Sequence, residues 1–413
     1  MLKHADNEIL NRVGPGTPAG EMLRRYWHPV LMAAELSEER PTKAVTLLGE
    51  KLVVFRMPSA VEGGKPQYGL MAEQCPHRLV SLAYGRVDAQ GIRCPYHGWK
   101  FDTQGHCIEQ PAEPAESTYK NEIQQPAYPV QKMAGLLFAY MGPLPAPLLP
   151  RWDVLVREDG RRWVSVESTM NCNWIQPMEN AVDPAHLFWL HGYAFGSGHL
   201  GAHTTEYQET REFIRFDQGI MKRRTTHSKV PGEQGQVDEH PLIFPTMVRH
   251  VSNEANGVRD EGRNGERLYR HNIQIRVPVD DYHTRVFRVN FIPSATERSP
   301  EDQDPPSRYF QLKEEDGVYN MNIVASQDAM AWETQGAICD REREHLGTSD
   351  LGIVMLRKLI REQIEIVQAG GDPMGVIRDP AKNQMIITHA INERIGLFGK
   401  HHAEEKQTEE SVP

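Results

Sequence analysis

The sequence predicts an α+β protein: a small antiparallel β domain, then a larger domain of antiparallel strands and C-terminal helices. Three observations carry this. Short strand-like runs broken by Gly and Pro fill residues 40 to 142. The stretch 143–150, PLPAPLLP, has four prolines in eight residues and reads as an extended linker. Residues 350–369 carry Leu351, Val354, Met355, Leu359, Ile360, Ile364 and Val367 at helical spacing before Gly370-Gly371, an amphipathic helix with its stop signal. The boundaries are a helical N-terminal segment 1–38, the β domain 39–142, the linker 143–150, the second domain 151–400 and a charged, disordered tail 401–413.

Taken in order, residues 1–38 read as helical on either side of Gly14-Pro15-Gly16. Residues 44–56 alternate and form two strands around Gly49-Glu50, and Tyr68 to Met71 form a third. Lys100-Phe101 precedes a Gln104-Gly105 turn, and Val130 to Tyr140 returns as one strand. In the second domain Trp163 to Glu167, Gln274 to Val279 and Val286 to Ile292 are strands. Residues 252–267 are polar and rich in Gly and Asn, which predicts a mobile loop.

The chain is 39% hydrophobic with a net charge of −10 and no basic run, which gives no footprint for nucleic acid. The N-terminus lacks an apolar signal core and no stretch approaches the 18 apolar residues of a membrane span, so a cytoplasmic location is expected. Five cysteines scattered over 413 residues are not a disulfide framework, and Cys107, Cys172 and Cys339 read as buried free thiols.

The other two cysteines stand in Cys75-Pro76-His77 and Cys94-Pro95-Tyr96-His97, a C-x-H and a C-x-x-H with sixteen residues between them. Two thiolates on one iron and two imidazoles on the other are the ligand set of a Rieske [2Fe–2S] centre, with the imidazole-bound iron as its redox-active end. A structural zinc site and a Cys75–Cys94 disulfide are the alternatives. Zinc sites usually keep both Cys in one knuckle and both His in another, whereas each arm here carries one of each. Pro76, Pro95 and Gly98 place both arms in turns.

A second constellation lies in NWIQPMENAVDPAHLFWLHG, with Glu179, Asn180, Asp183, His186 and His191. Two His and one carboxylate on one face bind non-haem Fe(II) and leave positions open for O2 and substrate. A spacing of five puts two residues about 140° apart on an ideal α-helix. The helix must therefore break or bulge between His186 and His191, or one His must come from the following loop; Gly192 favours a helix end there.

The two patterns together, C-x-H…C-x-x-H and E-N-x-x-D-x-x-H-x-x-x-x-H, resemble the Rieske non-haem iron oxygenases over nearly the whole chain. More narrowly the chain resembles the phthalate dioxygenase type. Val13 to Pro18, Arg24 to Trp27, Gln327-Asp328-Ala329, Asp340-Arg341 and Glu344 to Gly347 carry that likeness. The resemblance implies a Rieske domain followed by a helix-grip, START-like catalytic domain. It implies Cys75, His77, Cys94 and His97 as cluster ligands, and His186 and His191 as iron ligands. Asp328 fits the family's distant third ligand, with Asp340 and Asp350 as competitors. Asp183 would bridge the iron site of one subunit to His97 of its neighbour, and Asn180 lies near the iron. Asp183 is also placed to cap a helix before Pro184.

The resemblance further implies an enzyme of aromatic-compound catabolism, working as a head-to-tail homotrimer or a dimer of trimers. It would take NADH-derived electrons from a separate flavin/iron-sulfur reductase and use O2. The expected reaction is dihydroxylation of a phthalate-like or phenoxybenzoate-like aromatic carboxylate; the alternative is O- or N-demethylation or hydroxylation by a monooxygenase. An anionic substrate calls for an arginine. Of Arg249, Arg270 and Arg276, Arg249 is singled out because the apolar run Leu242 to Val248 leads it into the domain.

Overall fold

The computed structural model describes residues 2–59, 61, 63–191, 207–228, 236–252 and 270–388. Gly192, the 252–267 loop beyond Ser252 and the tail 401–413 lie outside the described residues.

Two four-stranded antiparallel sheets make the small β unit. One has the order Thr42–Leu47, Glu50–Met57, Gln67–Ala72, Ala127–Tyr128; the other runs Arg86–Asp88, Gly91–Arg93, Lys100–Phe101, Cys107–Glu109. Leu48 and Gly49 both have positive φ, the geometry that closes a two-residue hairpin. Val53, Phe55, Met71, Ile92, Trp99 and Phe101 form a satellite core between these sheets, and Cys75 and Cys94 belong to it.

Two readings from sequence are corrected here. The segment 1–38 is not helical throughout. After the helices His4–Asn11 and Pro18–Leu23 the chain forms the strand Trp27–Met32, which pairs with Leu136–Tyr140. All six residues of that strand are buried, so no period-2 alternation marked it. Nor is Val130 to Tyr140 one strand. Ala134 (φ 50°) and Gly135 (φ 74°) fold it into a hairpin of Val130–Met133 and Leu136–Tyr140.

The second domain is built on an eight-stranded sheet. Its spatial order is Tyr207–Phe216, Gly219–Ser228, Gln236–Ile243, Met247–Ser252, Arg270–Pro278, Thr284–Pro293, Gly160–Glu167, Ser307–Phe310. Every pairing is antiparallel except the last, where Ser307–Phe310 runs parallel to Gly160–Glu167. The helices Ile175–Ala181, Val324–Glu333 and Leu351–Gln368 accompany this sheet. One continuous core runs from Leu10 through Leu52, Leu137 and Trp174 to Ile273 and Ile360, so both units share it.

The C-terminal helix Leu351–Gln368 ends at Gly370 in the left-handed conformation. Its buried face is Gly352, Leu356, Arg357, Leu359, Ile360, Gln363, Ile364 and Val367. Leu351 and Val354, counted in the apolar stripe from sequence, point outward. Arg357 takes an inward position because buried carboxylates face it. The proline-rich stretch is packed down: Trp27 Nε1 donates to the Pro147 carbonyl at 2.9 Å and Asn383 Nδ2 to that of Leu149 at 2.9 Å.

Candidate metal centres

The two Cys/His loops are built alike. The Cys75 N–H donates to the Val80 carbonyl at 2.9 Å, and the Cys94 N–H donates to that of Trp99 at 2.8 Å. Each cysteine carbonyl accepts from the residue four further on, Leu79 at 2.9 Å and Gly98 at 3.2 Å. Both closing residues are left-handed, Leu79 at φ 61° and Gly98 at φ 77°. Glycine adopts that conformation freely, whereas a leucine there costs about 1–2 kcal/mol. Two equivalent turns thus aim four side chains at one point. The His77 and His97 rings lie 4.6 Å apart, and His77 stacks on Trp99 at 4.5 Å.

Cys75 and Cys94 are buried free thiols, which removes the disulfide alternative, while His77 is exposed and His97 half-buried. Burial pushes the Cys75 thiol up to about 12, aided by the neighbouring Cys94 and opposed by hydrogen bonding from the His77 backbone. Two crowded thiols with two imidazoles at the surface side make a donor set that fits a cluster with its imidazole end outermost. The His97 Nδ1 atom is buried without a partner among the described residues.

The second site joins elements distant in sequence. The helix Ile175–Ala181 carries Asn180 and stops before Asp183-Pro184, and Leu187–His191 then forms a π-helical turn. A π-turn bonds residue i to i+5, so residues five apart stack over one another. That is the bulge the spacing required, and it brings the His186 and His191 rings to 5.2 Å. Asp328 arrives from the helix Val324–Glu333. One ligand atom from each of His186, His191 and Asp328 lies within 4.8 Å of the others. Asp328 Oδ1 is 3.3 Å from His191 Nε2, 3.9 Å from His186 Nε2 and 3.5 Å from Asn180 Nδ2. Asp183 Oδ2 is 3.4 Å from His186 Nδ1, and its Oδ1 accepts from the Ala185 N–H at 2.8 Å. Burial opposes ionisation of Asp328, but hydrogen bonding from His191 and the charges of His191, His186 and Arg276 hold its carboxyl down to about 2. Two imidazoles and one ionised carboxylate suit a single divalent iron with open positions.

The sheet presents a polar, buried face to this site. Asn272, Gln274 and Arg276 alternate with Ile273, Ile275 and Val277, and the apolar set enters the core. Cross-strand partners share a face, which adds His250 and Asn290 opposite Asn272 and Arg288 opposite Gln274. Lys222 pairs in register with His240, whose ring lies 4.9 Å from that of His250. Burial, then the Asp328 charge and the repulsion of Arg288, set the Arg276 guanidinium, lowered to about 10. Arg276 lies over Trp332 at 5.0 Å and donates to the Pro177 carbonyl, and its Nε has no partner among the described residues.

Arg249, singled out from sequence, is placed otherwise. It is fully buried. Its Nε donates to Thr388 Oγ1 at 2.6 Å, Nη1 to the His250 carbonyl at 2.6 Å, and Nη2 faces His271 Nδ1 at 2.7 Å and Asp153 at 3.4 Å. Those partners engage four of its five N–H donors inside the fold, so no two-pronged donor face is left for a substrate. Asp340 and Asp350, the competitors to Asp328, are outside the cluster of three. Cys172 packs with Met170, Val286, Ala329 and Trp332 and is not one of the three clustered residues.

Three further residues were given no role from the sequence, although Glu179 and Gln327 stand in its motifs. Gln327 adjoins Asp328, and its Oε1 lies 2.6 Å from His191 Nδ1. Glu179 sits between Arg341 and Arg357. Lys222 bears on Asp183 and His191. The alternation at 272–276 carried a signal for the polar face, but nothing local told what Gln327 or Glu179 would bind.

A cluster-type loop pair and a two-His, one-carboxylate group on a helix-covered sheet define a protein with two iron centres. Residues 26–129 match the Rieske [2Fe-2S] domain and residues 307–411 the LigXa C-terminal domain like family. The chain is 37% identical to the 5,5'-dehydrodivanillate O-demethylase oxygenase subunit of Sphingobium sp. strain SYK-6, over 97% of this chain and 89% of that one. It is 43% identical to the 3-chlorobenzoate-3,4-dioxygenase oxygenase subunit of Comamonas testosteroni, over 91% and 92%. Its fold matches that of NdmA from Pseudomonas putida CBB5 solved with caffeine, at TM-score 0.63 and 21% identity, over 86% and 94%. The chain belongs to the Rieske non-haem iron oxygenases, as an oxygenase subunit. Its cofactors are a Rieske [2Fe–2S] cluster and a mononuclear iron. Among the described residues no helix is long and apolar enough to cross a membrane.

Proposed function

We propose that this oxygenase dihydroxylates an aromatic carboxylate, with Cys75, His77, Cys94 and His97 holding the cluster and His186, His191 and Asp328 holding the iron. The observation that carries the substrate class is the buried polar sheet face, where Arg276 and Lys222 act on Asp328, His191 and Asp183. A buried cation beside the iron site favours an anionic ligand, and a guanidinium binds carboxylate through two parallel hydrogen bonds. Arg276 replaces Arg249 as the residue for that contact, because its charge acts on Asp328 and, although Nη1 donates to Pro177 and Nη2 to Gln274, each keeps one hydrogen and Nε has no partner among the described residues. The 43% identical relative, named for 3,4-dioxygenation of 3-chlorobenzoate, supports dihydroxylation. The second reading is O-demethylation of a methoxylated aromatic acid, favoured by the 37% identical relative.

When bound, the cluster supplies single electrons and the iron supplies O2 activation. The chain's own residues do the rest. Asp328 brings the anionic ligand, and its ionised state means that no proton must leave before iron binds. The Asp183 carboxylate faces His186 Nδ1 at 3.4 Å, which favours the ring hydrogen on that side and leaves Nε2 toward Asp328. Its partner across a subunit boundary would be His97, a half-buried ring at the outer end of the loop pair whose buried Nδ1 is turned inward, leaving Nε2 for the neighbour. This supports a head-to-tail trimer, singly or paired, fed by a separate NADH-dependent reductase. The division into a cluster domain 39–142, linker 143–150 and catalytic domain 151–400 belongs to the same reading.

Product analysis of the reconstituted system with 3-chlorobenzoate, phthalate, phenoxybenzoate and a methoxylated benzoate tests this. A cis-dihydrodiol supports the first reading and stoichiometric formaldehyde the second. Turnover of neutral aromatics in preference to acids would overturn the carboxylate assignment.

A further inference from the structure

We propose that Gln327 is a positioning residue for the mononuclear iron, holding His191 in the one tautomer that offers Nε2 to the metal. This rests on His191 being an iron ligand.

Each step follows from donor and acceptor chemistry. Gln327 is fully buried on the helix Val324–Glu333, one residue before Asp328. Its Nε2 donates to the Met321 carbonyl at 2.6 Å. A carbonyl only accepts, so the amide nitrogen must face Met321 and the amide oxygen must face the other way. That oxygen lies 2.6 Å from His191 Nδ1. An amide oxygen also only accepts, so Nδ1 carries the hydrogen. A neutral imidazole has one ring hydrogen, which leaves Nε2 with its lone pair. Nε2 is the atom that lies 3.3 Å from Asp328 Oδ1 inside the ligand cluster. A backbone carbonyl before the helix thus decides, through one amide, which nitrogen of His191 can bind metal.

The two histidines are supported differently. His186 Nδ1 faces the Asp183 carboxylate at 3.4 Å, while His191 Nδ1 faces a neutral amide. An amide orients a ring without adding charge to the site. Because Gln327 and Asp328 share one helical turn, a single rigid element supplies both a ligand and the orienting group of another.

A merely structural alternative exists: Gln327 could serve only to tie the helix start to Met321. The variants Gln327→Leu and Gln327→Glu separate the two. Leucine removes the acceptor for His191. Glutamate keeps it and loses the donor to Met321. Anaerobic Fe(II) titration of the iron-depleted, cluster-loaded protein against a chelator gives the affinity, and EPR of the nitric oxide adduct reports the iron's surroundings. The Rieske EPR signal reports folding.

Q327L is expected to bind Fe(II) about 10–100-fold more weakly with an altered adduct spectrum, and Q327E, which keeps the acceptor for Nδ1, to bind it more tightly than Q327L. Wild-type affinity in Q327L, or equal weakening in both variants, overturns the proposal. Should Q327L lose the Rieske signal, Gln327→Met carries the same comparison. His191→Ala is the control on the underlying assignment. If it binds Fe(II) like the parent, His191 is not a ligand and both readings fall; if it loses iron while Q327L does not, only the tautomer argument fails.

Discussion

Replacing Glu179 by Gln should destabilise the catalytic domain more than any nearby surface change. Glu179 is buried, and three charge-assisted hydrogen bonds end on its carboxylate. Arg341 gives two, at 3.0 and 2.9 Å, and Arg357 gives one at 2.7 Å. Arg357 also pairs with Glu344 at 2.8 Å. Two guanidinium groups therefore face two carboxylates, and Arg341 reaches on to Asn7 and Asn11 of the first helix at 3.0 Å each. In E179Q the amide oxygen can still accept at one corner, but the amide nitrogen meets Arg341 Nη2 donor to donor. Two buried cations are left with one carboxylate. Removing one partner of a buried pair costs about 3–5 kcal/mol.

The assay is urea denaturation followed by near-UV circular dichroism, at several pH values. Burial opposes the charge on Glu179, yet Arg341 and Arg357 hold its carboxyl below the usual carboxylate range. A depressed folded value means that this stabilisation is fully present above the unfolded value of about 4.3 and is lost as pH falls through the lower folded one. The gap between parent and E179Q should thus be constant from pH 6 to 8 and narrow only in acid. A loss below about 1 kcal/mol at pH 7, or a gap that widens on acidification, would refute the reasoning.

His28 gives a second pH signature. Burial lowers it to about 4 against its hydrogen bond to the Leu23 carbonyl, so the fold holds it neutral. Stability should decline as pH falls from about 6.5 toward 4, by about 3 kcal/mol from this group, and melting curves of His28→Gln should show a shallower decline. Arg249→Met should remove the cation that faces the buried Asp153 carboxylate, which keeps its hydrogen bond from Thr388, and cost about 3–5 kcal/mol in melting experiments, while KM for the aromatic acid stays unchanged at a temperature where the variant is folded. Arg276→Gln should raise KM for the acid at least tenfold relative to a neutral amide analogue, measured by oxygen uptake; equal effects on both would remove Arg276 from substrate binding.

The sequence by itself determined the chemistry that is local. Both Cys/His loops were legible because two Cys and two His stand within a few residues of turn-forming Pro and Gly. The strand at 286–292 was legible because Arg288 and Asn290 interrupt its apolar residues at period two, and the helix at 350–369 because it buries one face. Local pattern failed where burial is two-sided: Trp27–Met32 is buried throughout, and the polar face at 272–276 is as buried as its apolar opposite. The likeness to relatives, not spacing, proposed Asp328, which lies 137 residues from His191. Tertiary structure alone decided the rest. A π-turn resolved the five-residue spacing of His186 and His191, a question the helical wheel posed and did not answer. Whether a buried arginine is free for a substrate depends on partners from other strands, which is why Arg249 looked apt in sequence and is occupied by Asp153, Thr388 and His271 in space. Gln327 and Glu179 matter through atoms that only folding brings within hydrogen-bond reach, a range too short for sequence pattern to record.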